Sequence, residues 1–301
     1  MRVLVRPAEE SDCAYFIDIH CPQLKGLPRR ERLARCGWWG DEEACAFLLR
    51  LYRGLGGEVF VAELYGEVIG EVEVLPHDDC LLGPRAYVNV LWVKEGSRGK
   101  GVGRALITAA AEWARSKGYG RLDVIPEEQS VAFYRKLGFK VVATQCKAEK
   151  RIVRRGVPPT LKCCEEIHAH NTPSDKVLVT GTYRPGLFTW FAAWFDTHTR
   201  HRPPTAYEVK HPTLRGGTWV ALLDWFHKGR ASLTAYTQEE PTHHEFKGLA
   251  ETATQIALTT GVEDLFIQTW EKYAPALREA EYAILKTNIP WMSLRIKSKM
   301  L

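Results

Sequence analysis

The hydrophobic pattern of the chain changes period several times, and each change marks an element. A short apolar run from Val3 to Arg6 reads as a strand, and helical spacing follows around Ser11 to His20. Residues 22 to 40 are rich in Arg, Gly, Pro and Trp and follow neither period. Asp41 is a suitable N-cap for a helix through Ala46-Phe-Leu-Leu-Arg-Leu-Tyr to about Arg53, ended by Gly54, Gly56 and Gly57. The runs Val59 to Leu64 and Val68 to Leu75 flank Tyr65-Gly66-Glu67 as a hairpin. Tyr87-Val-Asn-Val-Leu-Trp-Val predicts a further strand that runs into a Gly-rich turn. Val102, Ala105, Leu106, Ala109, Ala110 and Trp113 then form one helical stripe, stopped by Gly118. Leu122 to Ile125 predicts a strand, Gln129 to Leu137 a short helix, and Lys140 to Thr144 the start of the closing strands.

The same order recurs in the second half. Val177 to Thr180 reads as a strand and Leu187 to His198, with Trp190 and Trp194, as a helix. Tyr207 to Lys210, Thr218 to Phe226 and Arg230 to Thr237 read as three strands. Phe246, Leu249, Ala250, Ala253, Ile256 and Ala257 repeat the helical stripe, with Gly261 as its stop. Asp264 to Gln268 is the next strand, Ala274 to Glu281 a short helix, and Tyr282 to Lys286 and Met292 to Ile296 close the chain. Between the halves, residues 151–175 carry Arg151, Arg154 and Arg155, then Pro158-Pro159, and read as a linker. The expected fold class is α/β (α+β, mixed sheet), with a central mixed β-sheet flanked by helices in residues 1–150 and a second copy in 176–301. Residue identity between the halves is slight, so the repeat rests on pattern alone.

Composition narrows the function. A chain of 301 residues, 45% hydrophobic and 26% charged, has ample material for globular cores. The net charge of +5 falls short of the basic stripe of a dedicated nucleic-acid binder and suits an anionic ligand equally well. No run reaches the roughly 18 apolar residues of a membrane helix, and the start turns acidic without a signal-peptide core, which reads as a cytoplasmic protein with no membrane partner. The eight cysteines are irregularly spaced and read as buried thiols rather than a disulfide framework. Cys163-Cys164 with His168 and His170 fits no common zinc spacing, so no metal is expected.

The chemistry concentrates at Arg98-Gly99-Lys100-Gly101-Val102-Gly103-Arg104, between a strand and a helix. Glycines let the backbone approach a ligand and point N–H groups inward, and the helix adds its positive end. Arg98, Lys100 and Arg104 add charge, making a cradle for a pyrophosphate. A Walker loop is absent, and the G-x-G-x-G spacing departs from the dinucleotide fingerprint.

With Arg98, Gly101 and Gly103 at its fixed positions, the loop resembles the Q/R-x-x-G-x-G/A signature of the GNAT superfamily of acyl-CoA-dependent N-acetyltransferases. Ser130-Val-Ala-Phe-Tyr134-Arg-Lys-Leu-Gly-Phe139 resembles that family's second signature, and Leu4-Val-Arg-Pro-Ala with Asp12 its opening strand and helix. The resemblance covers about residues 1 to 150 and implies acetyl-CoA as acyl donor, bound by the main chain of Arg98 to Arg104. It implies a splayed strand at Leu91, Trp92 and Val93 that presents main-chain groups to the thioester and pantetheine. It implies Tyr134 as the acid that protonates the departing thiolate. Where many members place Asn seven residues before that Tyr, this chain has Glu127.

The amine acceptor must lose a proton, and three carboxylates are candidate bases: Asp123, Glu73 and Glu71. Alternation puts Glu71 and Glu73 on one face of their strand, opposite Val72 and Val74; a solvated sheet face is the plain alternative. Acceptor specificity is expected between residues 21 and 57, where Trp38-Trp39 and Arg29, Arg30, Arg32 and Arg35 stand. In the second half the glycine loop is replaced by Thr242-His243-His244-Glu245-Phe-Lys-Gly248, which predicts a copy that has lost the donor and shapes the acceptor site or a homodimer interface. The expected activity is direct transfer of acetyl from acetyl-CoA to an unidentified amine. The alternatives are a non-catalytic acyl-CoA-binding regulatory module and, through the basic linker, an RNA-associated transferase.

Overall fold

The computed structural model describes residues 3–153, 164–167, 173, 176–181, 186–195, 203–210 and 218–296. The chain divides into two compact units. The first comprises Met1–His77, Pro84–Lys140 and Met292–Leu301, and the second Asp78–Gly83 and Val141–Trp291.

In the first unit, β1 (Leu4–Pro7) precedes three helices, α1 (Cys13–His20), α2 (Arg29–Cys36) and α3 (Glu42–Gly54). Then come β2 (Glu58–Leu64), β3 (Glu67–His77), β4 (Arg85–Val93), α4 (Val102–Ser116), β5 (Arg121–Val124) and α5 (Val131–Lys136). Strands β1 to β4 are antiparallel neighbours in that order, and β4 runs parallel to β5. Asp41 caps α3 as expected, accepting the Ala44 N–H at 3.0 Å.

The patternless segment 22–40 is held by its polar groups. Arg29 pairs with Asp41 and Glu43, Arg32 donates to the carbonyls of Leu27 and Gly40, and Arg35 meets Glu31. The arginines of the expected acceptor region are thus engaged locally at three of four positions. The reading of all cysteines as thiols is corrected here: Cys21 and Cys36 form a disulfide, their Cα atoms 6.2 Å apart. Cys13, Cys45, Cys80 and Cys146 are free.

The core of this unit lies between the sheet and α4. Val72 and Val74 of β3 pack with Val102, Leu106, Ile107, Ala110 and Trp113 of α4. On β4, Ala86 and Val88 join this core, and so do Leu91 and Val93. That change of parity comes from a bulge: Val74 pairs with Val88 but Glu73 with Val90, leaving Asn89 as the extra residue. One inserted residue switches every later side chain to the other face.

The second unit contains β6 (Lys140–Arg151), which enters it after Lys140, then β7 (Cys164–Ile167), β8 (Val177–Leu178), α6 (Gly186–Phe195), β9 (Thr205–Lys210), β10 (Thr218–His227) and β11 (Arg230–Thr237). It continues through α7 (His243–Thr260), β12 (Asp264–Trp270), α8 (Ala274–Glu279) and β13 (Ala283–Arg295) up to Trp291. Strands β7, β9, β10 and β11 are antiparallel neighbours, and β11 runs parallel to β12. This repeats the first unit's order with two departures from expectation.

First, Val177–Leu178 does not open the second sheet. That place beside β9 belongs to β7, within the segment read as linker, while β8 pairs with β11. Second, the closing strands are exchanged. Gln145 to Arg151 of β6 pairs with β12, and Met292 to Arg295 of β13 pairs with β5. The boundary expected at 150 therefore falls at 140, and the first unit is completed by the end of the chain. The two predicted closing strands are one strand, bent at Asn288, whose φ is 55°. Arg154, Arg155, Pro158, Pro159, Cys163, His168 and His170 lie outside the described residues, as does the predicted helix end at 196–198.

Candidate active site

The turn between β4 and α4 is built to leave its main chain open. Gly101 has φ 87° and Gly99 φ 74°, a region that favours glycine. Gly101 precedes the first residue of α4, with no side-chain cap. The earliest N–H groups of the helix, at Val102, Gly103 and Arg104, have no carbonyl one turn back within the helix to take them. An added Cβ at Gly99 or Gly101 would meet no atom within 4 Å, so the space beside this backbone is free for a ligand to approach. At Gly103 a Cβ would press Phe133 at 3.1 Å, so glycine there allows α4 to sit close to α5. Arg98 is braced on the Val93 carbonyl at 3.0 Å and over the Trp92 ring, and Lys100 on the Gly96 carbonyl at 2.8 Å. A diphosphate fits this arrangement: exposed N–H groups, a helix start and fixed cations.

Next to the cradle, β4 loses its parallel neighbour. It pairs with β5 only at Ala86 and Tyr87, opposite Leu122 and Asp123. Leu91, Trp92 and Val93 lie beyond that point, and Asn89 to Val93 are half-buried where the paired residues before them are buried. Among the described residues, no strand pairs with this side of β4 beyond Tyr87.

On the face away from α4, Glu71 and Glu73 are wholly buried, at 0% and 1% exposure, which overturns the reading of a solvated face. Each is met by a different set of elements. Glu71 Oε1 lies 2.5 Å from His20 Nε2 at the end of α1. Glu73 Oε2 accepts from the Tyr52 hydroxyl of α3 and from Asn89 Nδ2 at 3.0 Å, and Asn89 also donates to Tyr52 at 2.6 Å. Glu71 Oε2 and Glu73 Oε1 are buried without a hydrogen bond. Burial and the neighbouring Glu71 charge push the Glu73 carboxyl up to about 7, against the hydrogen bonds from Tyr52 and Asn89. Burial opposes charge on His20, but the Glu71 carboxylate outweighs it and the imidazole is raised above its ordinary value. The His20 ring stacks on Trp39 at 4.4 Å and tilts toward Trp92 at 5.6 Å, and both indoles are half-buried.

Tyr134 is buried on the α4 side among Phe133 and Phe139. Burial, reinforced by the Glu127 charge, raises its phenol well above the usual range, so it holds its proton. Asp123 is buried in an ion pair with Arg85 at 2.7 Å, beside the start of β4. His20, Tyr52 and Asn89 carried no local signal as a group. Asn89 alone stands out, as the one amide within an apolar strand.

The second unit differs at both features. Thr242 and Glu245 form a reciprocal capping box on α7, with the Thr242 N–H donating to Glu245 at 2.7 Å and the Glu245 N–H to the Thr242 hydroxyl at 3.3 Å. β11 and β12 pair from Arg230 to Leu233, and beyond that point residues 178–181 lie between them. Val179 N–H donates to Ala235 O at 2.9 Å and Gly181 N–H to Gln268 O at 2.7 Å. His243 is paired with Glu279, and no cluster of three or more potential metal ligands exists among the described residues. No helix among them is long and apolar enough to cross a membrane.

Comparison with known proteins agrees with this geometry. Residues 21–139 match the model of the acetyltransferase (GNAT) family. The chain is 30% identical over 147 residues to a glucosamine 6-phosphate N-acetyltransferase of Trypanosoma brucei brucei, covering 94% of that protein and 48% of this chain. It is 30% identical over 134 residues to a probable N-acetyltransferase family 8 member 5 of Mus musculus, covering 56% of that protein and 42% of this chain. A GCN5-related N-acetyltransferase from Anabaena variabilis shares the fold, with a TM-score of 0.62 and 14% identity over 98% of this chain and 73% of its own.

Proposed function

Because the chain belongs to the acetyltransferase (GNAT) family, we propose that it is an enzyme that moves an acetyl group from acetyl-CoA to a primary amine by direct attack. The observation that carries this reading is the uncapped glycine turn of α4 beside the unpaired end of β4, with a buried carboxyl on the acceptor side. In the bound state, acetyl-CoA supplies an activated thioester carbonyl. Main-chain groups from Arg98 to Arg104 hold the diphosphate. The unpaired side of Leu91, Trp92 and Val93 receives the pantetheine arm and polarises the carbonyl.

Glu73 is the base. A carboxyl poised near neutrality is ionised often enough to take the ammonium proton and basic enough to keep it. Its free Oε1 is the oxygen available for that proton. The amine nitrogen bonds to the carbonyl carbon, the carbon–sulfur bond breaks, Tyr134 gives its proton to the departing thiolate, and the second proton shed by the new amide nitrogen returns through solvent to the Tyr134 phenolate. The catalytic reading is favoured over a purely regulatory acyl-CoA module because such a module gives no reason to bury two carboxylates with unmet oxygens at a binding face. The second half reads as a degenerate copy of the same fold that leaves one donor site per chain. Use of acetyl-CoA supports a cytoplasmic location.

Release of free CoA thiol, followed with a thiol reagent, tests the activity. The amines to try are a peptide with a free N-terminus, lysine, spermidine and glucosamine 6-phosphate. Turnover with one of them is expected. Glu73→Gln and Tyr134→Phe should each lower kcat by roughly 100-fold or more while acetyl-CoA still binds. Full activity in Glu73→Gln would remove Glu73 from the mechanism.

A further inference from the structure

Glu71 and Glu73 are two residues apart on one strand, share a face and are both shut from solvent. Two buried carboxylates cannot both be charged side by side without a compensating cation. The groups facing them can be named element by element. From α1 come His20 and Cys13, from α3 Tyr52 and Cys45, and from β4 the uncharged Asn89. On β2 the register partners are Val61 and Val59. His20 is the one cation in this set, and it lies against Glu71 rather than Glu73. The Trp39 ring stacked on it and the disulfide at the next residue hold it there.

We propose that His20 and Glu71 form a positioning pair that leaves Glu73 as the one carboxyl free to exchange a proton with the acceptor amine. The inference rests on Glu73 being the base. In this arrangement the imidazolium and the Glu71 carboxylate cancel each other in the protein interior. Glu73 then titrates alone, held by two neutral donors, with its Oε1 buried without a hydrogen bond. Neither His20 nor Glu71 touches the reacting atoms; both act through Glu73.

The pair predicts opposite effects from removing its two members. Glu71→Gln removes the negative neighbour, so the acidic limb of kcat/KM against pH moves down by roughly one pH unit or more. His20→Gln leaves Glu71 uncompensated, so the same limb moves up by a similar amount. The profiles are measured with the most active amine of the panel above. Acetyl-CoA binding by calorimetry shows that each variant is folded. In wild-type protein alone, NMR titration of the imidazole should place His20 above the ordinary value of about 6.5, falling in Glu71→Gln. Equal losses of activity with unmoved limbs, or a wild-type His20 that titrates below about 6.5, would overturn the pairing while leaving Glu73 as base. An active Glu73→Gln enzyme instead removes the base itself, and the pairing with it.

Discussion

The two halves of the chain make the same strand–turn–helix step and finish it differently. At α4 the turn ends in a left-handed glycine, and the first N–H groups of the helix have no cap. At α7 the Thr242 hydroxyl takes the Glu245 N–H and the Glu245 carboxylate takes the Thr242 N–H, so part of the equivalent set is satisfied from within. The glutamate also carries negative charge to the place where a diphosphate would lie. Beside α4, β4 parts from β5 after Tyr87, whereas beside α7 the corresponding opening between β11 and β12 holds residues 178–181. A binding site in this fold is thus a withheld interaction. In the second half the chain caps part of its own helix start and fills its own strand opening, while the order of elements is kept.

The largest break in this comparison comes from the exchanged strands. Deleting residues 292–301 removes the partner of β5 and takes Met292 and Leu294 out of the first unit's core. Loss of cooperative unfolding, seen by circular dichroism, and of acetyl-CoA binding is expected. The milder Met292→Ala should cost about 2–5 kcal/mol in chemical denaturation, because its side chain is fully buried. An unchanged midpoint would show that β13 is dispensable to this unit.

Next in size is the Cys21–Cys36 bridge, which closes a loop of sequence separation 15 and flanks His20 and Trp39. Reduction should lower stability by about 3 kcal/mol on a chain-entropy estimate. Hydrogen exchange should quicken in residues 21–40 and stay slow in α4. Uniform exchange in both states would place the bridge outside the acceptor region's stability.

The Glu73 carboxyl gives a signed pH effect. Its folded-state value of about 7 lies above the ordinary carboxylate value, so between about 4.5 and 7 the folded chain binds a proton that the unfolded chain has released. Stability therefore falls as pH rises through this window. Glu73→Gln removes that loss, and at pH 8 it should be more stable than wild type by on the order of 3 kcal/mol, measured by thermal unfolding against pH. A parallel decline in both proteins would contradict it.

The smallest effect sharpens the comparison at α7. Thr242→Ala should cost about 1 kcal/mol through the lost cap. It should not create a second donor site, since the opening beside β11 stays filled. Binding of a second acetyl-CoA in that variant would show that the cap alone had closed it.

The cradle was legible because its parts are local. A strand, three spaced glycines and an amphipathic stripe sit within thirty residues, and spacing alone fixes where the N–H groups go. Tyr134 was named from a motif that resembles the family's second signature, and it is buried in α5. The buried carboxylate cluster was only half legible. Alternation put Glu71 and Glu73 on one face, but their burial depends on His20, Tyr52 and Asn89, which three other elements bring in. Asp123 was read without its ion-pair partner because Arg85 is distant in sequence. The strand exchange was also hidden, because β6 and β13 satisfy the same period-two pattern beside either sheet. Local pattern specifies that a strand forms and which face is apolar, but not which edge it joins.

The central claim is that one half binds the donor and the other cannot, and calorimetric titration of the intact chain with acetyl-CoA tests it most directly. The account predicts one site per chain, lost in Gly101→Glu, where a side chain is forced into a left-handed position and a negative charge is placed in the cradle. Two sites per chain, or one site that persists in folded Gly101→Glu, would contradict it.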